Sequence, residues 1–268
     1  MQKKNTIWSK IIEKIIFFIL LIALWQLVAY VGVEVLHLWK SYTMPTPLGV
    51  WNKIFDLFSQ TSIYLAILAS LKRVFLGYIL AVLIGTLLGI LIVRFSYLER
   101  NLKPLILGMQ TLPSICWLPF AILWYGLNES AIIFVIVIGS AFSIAISVEN
   151  SFKSVDPILI RAAKTMGANQ RELYTKVIFP ACTPMLISGL KQGWSFAWRA
   201  LMSGEMMSAT VGLGQVLLLG RELADINQVM VVMIVIIIIG SVIDKCIFSS
   251  IEKRVRKSRG LDRDRVEV

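Results

Sequence analysis

The chain has 268 residues, 57% of them hydrophobic and 16% charged, with a mean hydropathy of +0.76. That balance excludes an ordinary soluble domain and points to a polytopic membrane protein. The formal net charge of +11 could suit a nucleic-acid binder, but its placement along the chain fits a membrane topology, so no nucleic-acid partner is expected.

Apolar runs long enough to cross a bilayer, about 20 residues each, recur six times. They are read at about Ile11–Val33, within Ile63–Val93, Pro104–Tyr125, Ala131–Val148, Pro184–Met207 and Val229–Phe248. The first is too long for a removed signal peptide and lacks a small-residue cleavage site, so it is expected to stay as an anchor. Lys3, Lys4, Lys10 and Lys14 precede it and put the N-terminus in the cytoplasm. Alternation then places 1–14, 94–103, 150–183 and 245–268 inside, and these regions hold 20 of the 27 Lys and Arg. Both termini are therefore cytoplasmic.

Residues 34–61 follow as an outer connector, with Trp39, Tyr42 and Trp51 suited to headgroup level. Lys72 and Arg73 lie on the outer side against the charge rule, so Ser62–Phe75 is expected to be a partly interfacial approach to the second span. Gly77, Gly85 and Gly89, four or eight residues apart, suit close helix contact. In the third span Pro113 and Pro119 each delete a backbone donor. Irregular backbone at that depth is tolerated where it is buried in protein or lines a wet cavity. A Pro-kinked packing helix and a path-facing segment both fit the chemistry. The fourth span is Ile, Val, Ala and Ser until Glu149 and Asn150, and is expected to pack.

The longest polar interval of the second half runs from Ser154 to Pro180. Asp156 can cap a helix that Pro157 starts. Leu159, Ala162, Ala163 and Met166 fall at i, i+3, i+4 and i+7 as one apolar stripe, and Gly167 stops the helix. Asn169 and Glu172 have the form of a capping box for a second helix, expected to end before Pro180. The residues alone fit an interfacial connector.

The fifth span carries Lys191, Trp194, Ser195, Trp198, Arg199, Met202 and Glu205, which at 100° per residue fit one broad face. Charges in a span should face the bundle interior or water. Arg199 and Glu205 could pair, or line a path. Gly212 and Gly214 mark a break before the sixth span. Cys116, Cys182 and Cys246 have no metal-ligand spacing, His37 is the single histidine, and a Gly-Lys-Ser/Thr phosphate loop is lacking. No metal site, no catalytic residue and no enzyme activity are expected in this chain.

The string Arg161-Ala162-Ala163, three residues, Gly167, nine residues, then Val177-Ile178-Phe179-Pro180 resembles the E-A-A loop of ABC importer permeases. The match departs from the family pattern at Arg161, where a glutamate is usual. The resemblance extends over Ser70–Glu205, through Ser70–Tyr78, Leu112–Leu127, the loop, and the region of Trp198 and Glu205. It is closest to permeases of the nitrate/sulfonate/taurine type.

The fold this implies is all-α, a type I importer permease with about six transmembrane helices. An anchor helix and outer connector would occupy 1–61, and a permease domain with a coupling loop at 150–183 would occupy 62–250. A basic cytoplasmic tail would follow over 251–268. The resemblance further implies a bacterial plasma-membrane permease subunit for a small solute, such as a sulfonate or nitrate. Its partners would be two cytosolic ATPase subunits carrying ATP and Mg, an external solute-binding protein, and a second permease subunit, most simply a homodimer. Asp156, Leu159, Arg161, Ala162, Ala163, Met166 and Gly167 are the implied coupling residues. Pro113, Pro119, Trp198, Arg199, Met202 and Glu205 are the implied path residues, and the 208–223 stretch would re-enter the outer side near the gate. A stand-alone secondary transporter or channel would also fit six spans, but has no use for the hairpin's spacing.

Overall fold

Residues 2–40 and 42–258 are described by the computed structural model of the chain, and every element among them is helical. Contacts group the chain into two compact units, Met1–Leu65 with Val216–Ile236 and Ala66–Gln215 with Ile237–Val268.

In the first unit, α1 (Gln2–Tyr30) passes into a π-helical turn, Val31–Val35, and together they supply a 24-residue apolar span from Ile12 to Val35. A helix then forms where only a connector was expected: α2 (Pro47–Ser59). Its start is written in Thr46-Pro47. The threonine hydroxyl accepts from the Gly49 amide at 3.1 Å, and proline takes the first helical position. Lys53 of α2 pairs with Asp225 at 2.6 Å. Burial pushes the Asp225 carboxyl up. Hydrogen bonds from Lys53 and from the amides of Gln228 and Asn227 outweigh that and hold it below its ordinary value.

The chain enters the second unit along α3 (Thr61–Arg94), one unbroken 34-residue helix. The stretch Ser62–Phe75, expected as a partly interfacial approach, is helical and continuous with the second span. Arg73, whose charge suggested it, is 2% exposed and paired inside the protein. After α4 (Ser96–Gln110) the chain turns through a 3-10 turn, Ser114–Trp117, into α5 (Leu118–Tyr125), bent 101° away from α4. Pro113 sits at the break. Pro119 lies in the first turn of α5, where a missing amide goes unnoticed.

The centre of this unit is α6 (Glu129–Lys153), whose Asn128 cap accepts from the Ser130 and Ala131 amides. The span expected only to pack is the most buried of the spans, with Ile132, Val135, Ile136, Ile144 and Ala145 all at 0% exposure. Two glycines of α3 let its backbone come close to that of α6. A methyl group at Gly85 would lie 2.6 Å from the Ala141 carbonyl oxygen, and one at Gly89 2.7 Å from that of Ala145. Backbones this close exclude any larger side chain.

Beyond α7 (Pro157–Thr165) and α8 (Gln170–Glu172), a π-helical turn, Leu173–Ile178, leads into α9 (Phe179–Met207). Helix therefore continues from Gln170 to Met207, and the expected end before Pro180 does not occur. The reason is local. Phe179 donates to the Tyr174 carbonyl, five residues back, so proline arrives where the hydrogen-bond pattern is changing register and its missing amide leaves no regular bond broken. α10 (Leu213–Glu222), α11 (Ile226–Ile243), a π turn at Asp244–Phe248 and α12 (Ser249–Ser258) complete the fold. Five helices are long and apolar enough to span, or six with the bent α4–α5 pair counted as one. The last part of the basic tail, 259–268, lies outside the described residues.

Candidate functional site

Three sites in the second unit gather chemically distinctive side chains.

The first is a cavity of about 270 Å³ between the bent third span, α6 and α9, lined in part by Pro113, Ser114, Trp117, Phe142, Phe196 and Arg199. Pro113 shapes one wall because the break leaves the chain extended there, with ψ at 137°. Gly139 of α6 lets Ser114 approach, since a methyl group at 139 would stand 3.1 Å from the Ser114 Cβ. Arg199 rests on the Phe196 ring, 4.6 Å from its centroid, and its Nε donates to the Ser195 carbonyl at 3.1 Å. The guanidinium is exposed and meets no acid among the described residues. The structure thus brings Pro113 and Arg199 to one space.

Pro119, Trp198, Met202 and Glu205 do not line this cavity. Pro119 is exposed outside this cavity. Trp198 stacks on Trp194 at 6.2 Å and, with Met202, packs against the core of α6 and α9. Lys191 pairs with Asp244 at 3.2 Å. The single broad polar face read from helical spacing is divided by packing: one flank faces the core, the other the cavity.

Glu205, expected on the path or paired with Arg199, is instead fully buried at a second site. Its carboxylate accepts from Ser70 Oγ at 2.7 and 2.8 Å, from Arg73 Nη1 at 2.8 Å, and from the Gly214 amide at 3.0 Å. Arg73 also donates to the Val211 carbonyl at 2.7 Å and pairs with Glu129 at 3.1 Å. Ser70 Oγ in turn accepts from the Leu213 amide. The turn after α9 is thereby sewn to α3. Gly212 and Gly214 permit it, because a methyl group at either would come within 2.6 Å of the glutamate. Ser70 and Arg73 lie 135 and 132 residues from Glu205 along the chain, and Glu129 lies 56 from Arg73, so no local spacing links the three to it. The signal was there in Arg73, a basic residue on the outer side of a span.

At the cytoplasmic end, Glu149 is also fully buried, paired with Lys103 at 2.7 Å and Lys153 at 2.6 Å, and Lys153 bonds Glu99 as well. This cluster ties α4 to α6 directly before the third site, the α7 hairpin. Asp156 accepts from the Ile158 amide at 2.8 Å, and Pro157 opens the helix. Gly167 has φ +84°, with its amide bonded to Lys164 and that of Ala168 to Ala163, a Schellman closure. Asn169 and Glu172 complete the capping box.

The apolar stripe is distributed differently from its sequence reading. Ala163, with Ile160, turns inward onto Val155, Leu173, Ile178 and Cys182. Ile158, Leu159, Arg161, Ala162 and Met166 stay exposed, Met166 at 87%. The long apolar side chains at 158, 159 and 166 belong to an unsatisfied outer face of a nine-residue helix.

This architecture has known counterparts. The chain superposes on the membrane subunit in inward-facing structures of the MetNI methionine ABC transporter with a TM-score of 0.61 and 22% identity, covering 72% of this chain and 96% of that one. It is 36% identical over 177 residues to a Methanocaldococcus jannaschii chain described as an ABC transporter permease, covering 66% of each. It is 30% identical to the taurine transport system permease protein of Escherichia coli, covering 68% of each. Residues 81–257 match the family described as binding-protein-dependent transport system inner membrane component. The chain belongs to that family, and is a multi-pass transport subunit of the ABC importer permease kind.

Proposed function

We propose that this permease passes a small anion, of the sulfonate or nitrate class, through the space between α6, α9 and the break after α4. The observation that carries the reading is the state of the three charges on α9. Lys191 is paired with Asp244 and Glu205 with Arg73, while Arg199 has no acidic partner among the described residues and faces the cavity. A charge left unpaired within a span costs about 2.5–3.5 kcal/mol, and a path that admits anions gives that charge a role. The cavity's modest size favours a compact ligand. The taurine permease among its relatives supports the same class.

In this reading the chain works as one of two permease subunits, most simply a homodimer, in a bacterial plasma membrane. An external binding protein delivers the anion. Two cytosolic ATPases, carrying ATP and Mg, each receive the outer face of α7 in a groove through Ile158, Leu159 and Met166. Closure of the ATPase pair shifts the two hairpins and biases the permease between its inward- and outward-facing states.

The test is uptake by the reconstituted complex with Arg199→Ala and Arg199→Lys. A charge-assisted contact is worth about 1.5–3 kcal/mol, so Arg199→Ala should lower uptake by about 10- to 100-fold. Arg199→Lys should restore part of it, and ATPase association should be unchanged in both. Unaltered uptake of the anion by Arg199→Ala would sink the assignment.

A further inference from the structure

A second cavity, of about 670 Å³, opens at the cytoplasmic end of the second unit, beside the hairpin. Its walls are Ile90, Val93 and Phe152, and its polar groups are Arg94, Gln170 and Tyr174. We propose that it holds an anionic phospholipid of the cytoplasmic leaflet, the acyl chain against the apolar wall and the phosphate on Arg94.

Four observations converge on that occupant. Arg94 is the last residue of α3, and the charge-derived topology puts that end of the span on the cytoplasmic side, at headgroup level. Ile90 and Val93 precede it on the same helix, one turn or less toward the membrane interior, so polarity along the cavity runs in the order of a lipid. Arg94 has no acidic partner among the described residues, and no acid lines the cavity, so its charge is available to an anion. Tyr174 and Gln170, from the hairpin's second helix, add a hydroxyl and an amide to the lining. The volume falls within the range of about 300–1,000 Å³ usual for a bound small molecule. Basic pockets between spans on this side of a membrane suit phospholipid headgroups.

Position gives the site a consequence. Gln170 and Tyr174 flank Leu173 on the second helix of the hairpin, and Leu173 packs in the cluster that takes in Ala163 and Ile160 of α7. A lipid bound here bridges the end of α3 to the element that carries the coupling helix. This inference depends on the membrane topology alone and stands whether or not Arg199 binds an anion.

The experiment is native mass spectrometry of the full chain, titrated with phosphatidylglycerol, phosphatidylcholine and inorganic phosphate. The expected result is about five-fold better retention of phosphatidylglycerol than of phosphatidylcholine, the effect of one basic group at the membrane surface. Arg94→Gln should abolish the preference, and Val93→Trp, which fills the apolar wall, should lower retention of both lipids. Gel filtration checks that each variant remains monodisperse, and if Val93→Trp fails this check, Arg94→Gln decides the matter. Equal retention of the two lipids, or a preference unchanged in Arg94→Gln, overturns the proposal. Displacement of phosphatidylglycerol by inorganic phosphate at matched concentration would assign the cavity to a free anion, and overturn it too.

Discussion

Arg73→Met takes the guanidinium away from a carboxylate that has no route to water. Glu205 is fully buried, and after the substitution only the Ser70 hydroxyl and the Gly214 amide remain to it. Breaking a buried pair from one side costs about 3–5 kcal/mol, mostly because the surviving charge is stranded. Glu205→Gln is milder. Its amide oxygen can still accept from Ser70 and Gly214, so the loss should be near the about 1.5–3 kcal/mol of a hydrogen bond to a charged group. In the double variant neither charge remains, and it should be no less stable than Arg73→Met alone. The two substitutions would then be non-additive by about 2 kcal/mol, within the range for residues in one network. Neutral hydrogen bonds between membrane helices average only about 0.6 kcal/mol in such cycles, so a coupling of this size requires the charges. Denaturation of the four proteins in mixed micelles at neutral pH measures it. Additivity within about 0.5 kcal/mol would refute the view that Glu205 is held in place by Arg73.

Three further tests address packing, coupling and orientation. Gly89→Val forces a side chain against the Ala145 carbonyl, 2.7 Å from its Cβ, and should destabilise by at least the about 1–3 kcal/mol of core overpacking; Gly108→Ala meets nothing within 4 Å and should be neutral or mildly stabilising in the same thermal-shift assay. Ala163→Trp should break the hairpin from within and lower the yield of folded chain, whereas Met166→Ser should leave folding intact and weaken ATPase capture; equal effects of the two on folding would show that the faces of α7 are misassigned. Single cysteines at Asn169 and Asn52, both exposed, should be protected and reactive respectively to an impermeant reagent in sealed cells. Labelling of Asn169 from outside would reverse the topology and remove the docking site with it.

The sequence was legible where one local rule decided the outcome. Asp156-Pro157, Gly167 and Asn169 to Glu172 encode the hairpin's start, stop and restart through caps and a positive φ, and each is found as its residues imply. The break at Pro113 is of the same kind. What could not be read was which flank of a helix meets which neighbour. Leu159, Ala162, Ala163 and Met166 share a stripe by spacing, yet only Ala163 faces inward, because the hairpin's partner surface is made by Val155 and Leu173, which spacing within α7 does not register. Trp198 and Arg199 were likewise grouped and are separated by packing. The continuation of helix through Pro180 depended on a change of register upstream, invisible to a rule about the residue before proline. Thr46-Pro47 encodes the start of α2 by the same local rule.

The placement of charge in the second unit follows from what a bilayer permits. A charged group in a span must be neutralised, reach an interface, or face water. Near the outer ends of α3, α6 and α9 the first option is used, through Arg73, Glu129 and Glu205, and the turn at 208–214 is fastened to the bundle as a result. Near the inner ends of α4 and α6 it is used again, through Lys103, Glu149 and Lys153. Between these levels α3 and α6 hold together by backbone approach at Gly85, with no charge at all. The two clusters act on different elements: one fixes the outer turn, the other fixes α4 to the root of the hairpin. α4 leads at its far end into the Thr111–Ser114 wall of the cavity. Lys103 and Glu149 thus tie the root of the hairpin to the helix that runs into the wall facing Arg199, and the outer cluster ties the other end of α9 to α3. An arginine without an acidic partner among the described residues, between two levels where the acids are matched, is an exception that the span's own energetics single out.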